Sequence, residues 1–389
     1  MGTGMNKSKP AIVIVAYNRP HSLKRVLSSI SNLVVSGQVP LVISIDNGQN
    51  NPAMVEVASS FEWSHGPKEI LARPERMGLR NHVLSCGDLT RKYGSIIMLE
   101  DDLYASPWLY KYVTSAFDFY ADDDRIAGIS AYALSFAEAN KLPFTPLADG
   151  SDIFFKQMAS SFGQAWTEQM WSGFRSWLST EPDLHNVPGM PHRIANWSAS
   201  SWKKYFIGYL VETNRYFVFP RVSYTTNFND PGENMIMGSL YVQVPLQLFD
   251  MDFKWKSLDE APVVYDAWSE IETRSLDRLT DRFKGLDYEL DLYGEKQEYA
   301  KPWVITTRRV RKAEATFGRL MKPHELNLVF GTPGNDISLA RREDIIVEPL
   351  TIQQYLRQFG YFYTDFPVTG RLKEVLLYRL GNKLRRMKQ

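Results

Sequence analysis

Residues 96–99, Ile-Ile-Met-Leu, form an unbroken apolar run that stops in three consecutive acids, Glu100, Asp101 and Asp102. A run this short, without polar alternation and with a turn signal at Gly94, reads as a strand buried on both faces. Strands of that kind belong to parallel sheets covered by helices. Three adjacent carboxylates repel one another, so their clustering calls for a cation or a polar ligand against them. In open α/β sheets, ligands gather at the carboxyl ends of the strands. A hard divalent ion, held by one or two carboxylates and completed by phosphates, suits that position. The plainer alternative is a solvated acidic turn leading into a helix opened by Pro107.

The chain before this run has a matching texture. Residues 11–16 read as a buried strand, and Pro20 suits the first turn of a helix. Leu23, Val26, Leu27 and Ile30 then recur at helical spacing. Residues 41–45 read as a second strand, closed by the turn Asp46-Asn47-Gly48. Helices are expected over 54–61 and 79–89, with a short strand over 69–72 between them. Strands alternating with helices predict βαβ units and a mostly parallel sheet. Their carboxyl ends would bring Arg19, Asp46 and the three acids to one edge. No GxGxxG follows the first strand and no GxxxxGK[ST] occurs, so the dinucleotide and P-loop fingerprints are absent.

Past the acids, helices are expected over 108–120, 166–178 and 197–211, and strands over 126–130, 152–158, 216–219 and 222–226. Trp166, Met170, Phe174 and Trp177 would form one core stripe on the second of these helices. The polar stretch 227–238 reads as a mobile flap. From about Phe249 charges rise and β-branched runs shorten. The expected division is therefore a catalytic domain over 10–250 and an accessory α+β domain over 251–389. In the latter, 303–307, 326–330 and 345–347 read as strands, and the chain closes in a basic helix over 371–389.

Composition narrows the function classes. A length of 389 residues allows two domains, and 44% hydrophobic content sustains a large core. A net charge of +1 argues against a general polyanion binder, so no nucleic-acid partner is expected. The lone Cys86 excludes an intramolecular disulfide and suits a reducing compartment. No apolar run approaches a membrane span and no signal peptide is expected before Lys9, which points to a cytoplasmic location. The six histidines show no HxH or HExxH spacing, and no GxSxG elbow is present.

Three motifs in order, Ile12-Val13-Ile14-Val15-Ala16-Tyr17-Asn18-Arg19-Pro20, Ser44-Ile45-Asp46-Asn47-Gly48 and Leu99-Glu100-Asp101-Asp102-Leu103, resemble those of GT-A glycosyltransferases. The likeness is to bacterial family-2-like enzymes of surface-polysaccharide assembly. Around Glu-Asp-Asp-Leu the chain is also similar to N-acetylglucosaminyltransferase I. The resemblance covers residues 10–238. It implies a nucleotide-diphospho-sugar donor, a saccharide or lipid-linked glycan acceptor, and a divalent cofactor, Mn2+ or Mg2+. On the same grounds Asp102 would ligate the metal, with Glu100 and Asp101 on the ribose or behind it. Arg19 would face the diphosphate and Asp46 the base, where a bare Asx-turn is the alternative. Arg80 and Asn81, from Pro74-Glu75-Arg76-Met77-Gly78-Leu79-Arg80-Asn81, would line the nucleotide.

An inverting transfer needs a carboxylate to take the acceptor's proton. The eukaryotic relative's base lies in a Trp-Asp-Asp-Trp-like segment, and the matching stretch here is Trp202-Lys203-Lys204-Tyr205, which carries no acid. Glu168 is the expected substitute, with Asp230 and Glu233 in the flap as alternatives. A non-catalytic nucleotide-sugar or glycan binder on the same scaffold is the competing class. In the closing helix, Leu372, Val375, Leu376, Leu380 and Leu384 share one face beneath a crowd of cations. It can lie on an anionic membrane surface or dock on its own domain.

Overall fold

The computed structural model describes residues 9–230, 242–349 and 351–363. The described chain forms two compact units, one of residues 9–230 and 242–275, the other of residues 276–363.

The first unit is built on nine strands: β1 (Ala11–Ala16), β2 (Leu41–Ile45), β3 (Lys68–Ala72), β4 (Ser95–Glu100), β6 (Ile126–Ser130), β7 (Ile153–Lys156), β8 (Gln164–Thr167), β9 (Tyr216–Pro220) and β11 (Val264–Tyr265). Across the sheet they run β11-β7-β9-β6-β8-β4-β1-β2-β3. Five of the eight neighbouring pairs are parallel, so the sheet needs helices on its faces. Every residue of β1 and β2 is buried, as their unbroken apolar runs require. The helix Pro20–Ile30 has proline in its first turn and buries Leu23, Val26, Leu27 and Ile30, the four positions its spacing marks.

Two further strands, β5 (Leu103–Ala105) and β10 (Thr225–Asn227), pair antiparallel outside the main sheet. The acids therefore run into a short strand rather than directly into a helix. Residues 242–275 pack within this unit. Phe253 and Trp255 lie 5.8 and 5.7 Å from the Tyr112 ring, and Val264–Tyr265 adds the edge strand.

One expected helix is shorter than its stripe suggested. Trp166 lies in β8, and the helix begins at Glu168, burying Trp171, Phe174 and Leu178. Trp166 still joins that core: its ring is 4.8 Å from Trp171 and 5.8 Å from Phe206. The helix Leu79–Gly87 packs against the same cluster, where a β-carbon on Gly87 would stand 2.0 Å from Trp171 Cζ2.

The second unit holds β12 (Tyr288–Asp291), β13 (Trp303–Thr306), β14 (Ala315–Phe317) and β15 (Ile337–Arg341) in the order β12-β13-β15-β14. Residues 326–330, expected as a strand, lie in the helix Glu325–Phe330, because a short apolar run fits either element. Residues 345–347 contribute only an isolated bridge, Val310 to Ile345. No helix among the described residues is long and apolar enough to cross a membrane. The basic helix expected over 371–389 lies outside the described residues.

The Gly87 contact sets a first prediction. Gly87→Ala forces the buried Trp171 ring aside, an overpacking that costs about 1–3 kcal/mol. A lower urea midpoint is expected; an unchanged midpoint would show that Trp171 does not press on this helix.

Candidate active site at the carboxyl edge of the sheet

Three parallel strands end side by side. β1 lies between β2 and β4, with Val15 opposite both Ser44 and Glu100. The residues that follow, 17–19, 46–48 and 101–102, therefore emerge at one edge. The structure brings Arg19, Asp46, Glu100, Asp101 and Asp102 together there.

Asp101 and Asp102 are 2% and 6% exposed, so their charges need local partners. Arg19, just before the helix Pro20–Ile30, serves both. Its Nη2 pairs with Asp101 Oδ1, and its Nη1 donates to Asp102 Oδ2 at 3.1 Å. The Tyr17 amide donates to Asp101 Oδ2 at 3.4 Å. Asp102 Oδ1 is buried and has no hydrogen-bond partner among the described residues. Burial lifts the Asp101 carboxyl to about 6, with Arg19 restraining the rise and Asp102 adding to it. Glu100 is pushed up to about 8, by burial first and then by the charges of Asp102 and Asp101.

The β5–β10 ribbon carries a second segment to the same edge. The Phe228 amide donates to the Asp102 carbonyl at 3.0 Å. Two residues on, Asp230 accepts from Ser22 Oγ at 2.7 Å and pairs with Arg25, while its carbonyl accepts from Arg19 at 3.4 Å. Burial raises the Asp230 carboxyl, but Arg25 and Ser22 more than offset it, leaving it below the ordinary carboxylate range. Asp230 thus holds its segment on the helix and is committed to that ion pair. Glu233 lies outside the described residues.

Asp46 is 3% exposed and accepts three backbone bonds. Oδ1 takes the amides of Asn47 (3.0 Å) and Met77 (2.7 Å), and Oδ2 takes that of Gly78 (2.9 Å). Its carboxylate thereby fastens the end of β2 to the turn over 74–78, where Gly78 has φ +76°. Gly48 is needed for close approach as well: a β-carbon there would be 2.8 Å from the Tyr17 ring. The Arg80 guanidinium lies 4.0 Å over the Tyr205 ring, and Asn81, exposed, donates to the Met77 carbonyl at 3.2 Å.

Glu168 is not at this edge. Ser95 pairs with Thr167, and the Glu168 amide donates to the Gly94 carbonyl at 2.8 Å, so Glu168 sits at the amino end of β4. Five residues of strand, about 16 Å at about 3.3 Å each, separate that end from Glu100. Its side chain is exposed in the first turn of a helix, where a carboxylate suits the helix dipole. The expected role as base is corrected accordingly.

One pair escaped the sequence. The helix Trp202–Glu212 begins five residues later than expected, capped by Ser201, and points Lys203 inward. Lys203 Nζ pairs with Glu138 Oε1 at 2.5 Å, both side chains being more than nine-tenths buried, and Lys141 reaches Glu138 Oε2 at 3.3 Å. Burial raises the Glu138 carboxyl, but Lys203 and Lys141 outweigh it and the net shift is downward. On Lys203 burial wins and the ammonium is lowered, although Glu138 and the nearby Glu100 oppose this.

Among the described residues, no three His, Cys, Asp or Glu side chains group to hold a metal ion. The sequence matches no protein-family model and no curated protein. Solved structures with a similar arrangement include S. aureus TarS over residues 1–349, 10% identical at a TM-score of 0.36, covering 56% of this chain and 59% of that one. The mannosyltransferase PcManGT from Pyrobaculum calidifontis, in complex with GDP-Man and Mn2+, is 12% identical at 0.31, over 49% and 51%. A nucleoside-diphosphate-sugar pyrophosphorylase from Vibrio cholerae is 12% identical at 0.36, over 56% and 94%. The chain thus spans little more than half the length of the first two.

Removing Lys203 strands the buried Glu138 charge, a loss of about 3–5 kcal/mol. Lys203→Met is expected to lower the thermal midpoint steeply, and Lys203→Met with Glu138→Leu to recover most of it. The sign in pH follows from Glu138, whose folded value is depressed. Its contribution is in place above the unfolded value near 4.5 and is lost as pH falls through the lower folded one. The gap between wild type and Glu138→Gln should therefore shrink below about pH 4.5; a gap that widens there would contradict the pairing.

Proposed function

We propose that this chain is a metal-dependent glycosyltransferase that moves a sugar from a nucleotide-diphospho-sugar to a saccharide or lipid-linked glycan acceptor. The observation that carries the reading is Asp102: a buried carboxylate with one oxygen on Arg19 and the other without a partner among the described residues. An orphaned buried carboxylate oxygen is costly, and a divalent cation is the partner that best suits it. The donor set fits Mn2+ or Mg2+, which bind through one or two carboxylates and take their remaining ligands from water and phosphate. Bound at Asp102, such an ion would act as a Lewis acid on the departing diphosphate.

The protein's own groups do the rest. Arg19 presents its guanidinium at the same edge, fixed by Asp101 and Asp102, where a diphosphate can share it. Asp46 keeps the 74–78 turn closed against β2 and so shapes the nucleotide side, where Tyr17, Arg80 and Asn81 also stand. The Arg25–Asp230 pair holds the 227–230 segment beside Arg19. In this reading Asp230 positions that segment, and the acceptor's proton passes to a carboxylate other than Glu168. A role in bacterial surface-polysaccharide synthesis at the cytoplasmic face, with the basic residues of 371–389 at the membrane, belongs to the same proposal.

The test is a thermal-shift screen of nucleotide-diphospho-sugars with and without Mn2+. At a hundredfold excess over Kd, one donor should stabilise the protein by about 2.7 kcal/mol, only with metal. A set of donors that shifts nothing, or shifts equally in chelator, would overturn the metal-dependent reading. Stabilisation by a nucleoside triphosphate and a sugar phosphate, but by no sugar nucleotide with metal, would favour a nucleotidyltransferase.

A further inference from the structure

The unit of residues 276–363 contains a cavity of about 820 Å³ that the chemistry above does not use. Small-molecule sites run to about 300–1,000 Å³, so this one is sized for a short oligomer rather than a single ion. Its wall is cationic: Arg308, Arg309, Arg319 and Lys322 face it against one carboxylate, Asp336. Such an excess draws an anion.

The cations differ in freedom. Arg308 Nε lies 3.3 Å from Asp291, and its Nη1 donates to the Glu348 carbonyl at 3.3 Å, so it is spent on the wall. Arg319 is held in place, donating to the Leu292 carbonyl at 2.9 Å and lying 4.6 Å over the Tyr361 ring. Arg309 is exposed, and its side chain has no ion-pair partner among the described residues. A preset guanidinium and a free one on the wall of the same cavity suit a phosphate or carboxylate group.

The neutral wall argues for the rest of the ligand. Asn335, Gln354 and Gln358 bring amides: Asn335 Oδ1 accepts from Thr316, Gln354 Oε1 accepts from Thr351, and Gln358 Nε2 donates to the Tyr293 carbonyl, which leaves NH2 donors on the first two and an oxygen acceptor on the third for hydroxyls. Among the described residues that line the cavity, no aromatic face is left open for the bases of a single-stranded nucleic acid to stack on. The Tyr361 ring lies under Arg319 and Lys322, and the Tyr293 ring is stacked 5.7 Å from Phe362. Asp336 further opposes a densely charged backbone. We propose that this cavity binds an anionic oligosaccharide, a short run of hydroxyl-rich units carrying phosphate or carboxylate groups. The inference concerns binding alone and does not require transfer chemistry in the first unit.

Calorimetry on the full chain tests it with four probes: trigalacturonate, a glycerol-phosphate oligomer, maltotriose and a short oligothymidylate. One of the two anionic probes should bind at least about tenfold more tightly than maltotriose and oligothymidylate. Which of them does so separates carboxylate from phosphate recognition. Arg309→Glu should weaken that binding by about tenfold or more, equivalent to about 1.4 kcal/mol, and Arg309→Lys by less, with the thermal midpoint of both unchanged. Binding of neither anionic probe, equal binding of maltotriose, tighter binding of oligothymidylate, or indifference to Arg309→Glu would each overturn the proposal. Sugar-nucleotide binding with Mn2+, measured on the same preparations, should not respond to Arg309→Glu. Its absence from the wild type would count against the transferase reading alone.

Discussion

Two aspartates buried next to each other are tolerable only with a compensating charge, and Arg19 is that charge. An ion pair at about 4 Å is worth about 1 kcal/mol in water and about 4 kcal/mol at an effective dielectric of 20. Arg19 is partly exposed and its two partners are nearly buried, so the contact falls between these limits. The pairing does more than neutralise. It fixes the residues after β1 against the end of β4, and through the Asp230 carbonyl it also reaches the segment after β10. Three stretches far apart in sequence are thereby fastened to one edge, and among the described residues Asp102 Oδ1 is left buried there without a hydrogen-bond partner.

The rest of the first unit serves that geometry. Parallel register sets the strand ends level, and the close packing of the fully buried β1 and β2 holds them there. Asp46 makes the turn over 74–78 part of the sheet through three backbone amides. His82 supports β2 from beneath, 2.7 Å from Ser44 Oγ, and burial lowers it to about 4, so it is a neutral structural group. The Glu138–Lys203 pair stiffens the wall near Glu100. Breaking it is expensive for the same reason that the aspartates need Arg19.

Much of this was legible because it was local. β1, β2 and β4 announce themselves as apolar runs, and the helix Pro20–Ile30 by its proline and its four apolar positions. The acids at the strand end follow from the same runs. What the sequence hid depends on pairing across distance. Trp166 fits a helical stripe as well as a strand, and only its register with Ile96 decides, which also moves Glu168 to the far end of β4. Residues 326–330 carry an apolar run too short to tell helix from strand. Glu138 and Lys203 are 65 positions apart, and neither has a neighbour in sequence that marks it as half of a buried pair.

The central claim, that Asp102 offers its unpartnered oxygen to a divalent ion beside Arg19, is tested most directly by electron paramagnetic resonance of Mn2+. The free-ion signal should fall when the protein is added with a nucleoside diphosphate, far less when either is added alone, and with Asp102→Asn no further than with the nucleotide alone. Equal uptake of Mn2+ by wild type and Asp102→Asn in the presence of the nucleotide would contradict the account.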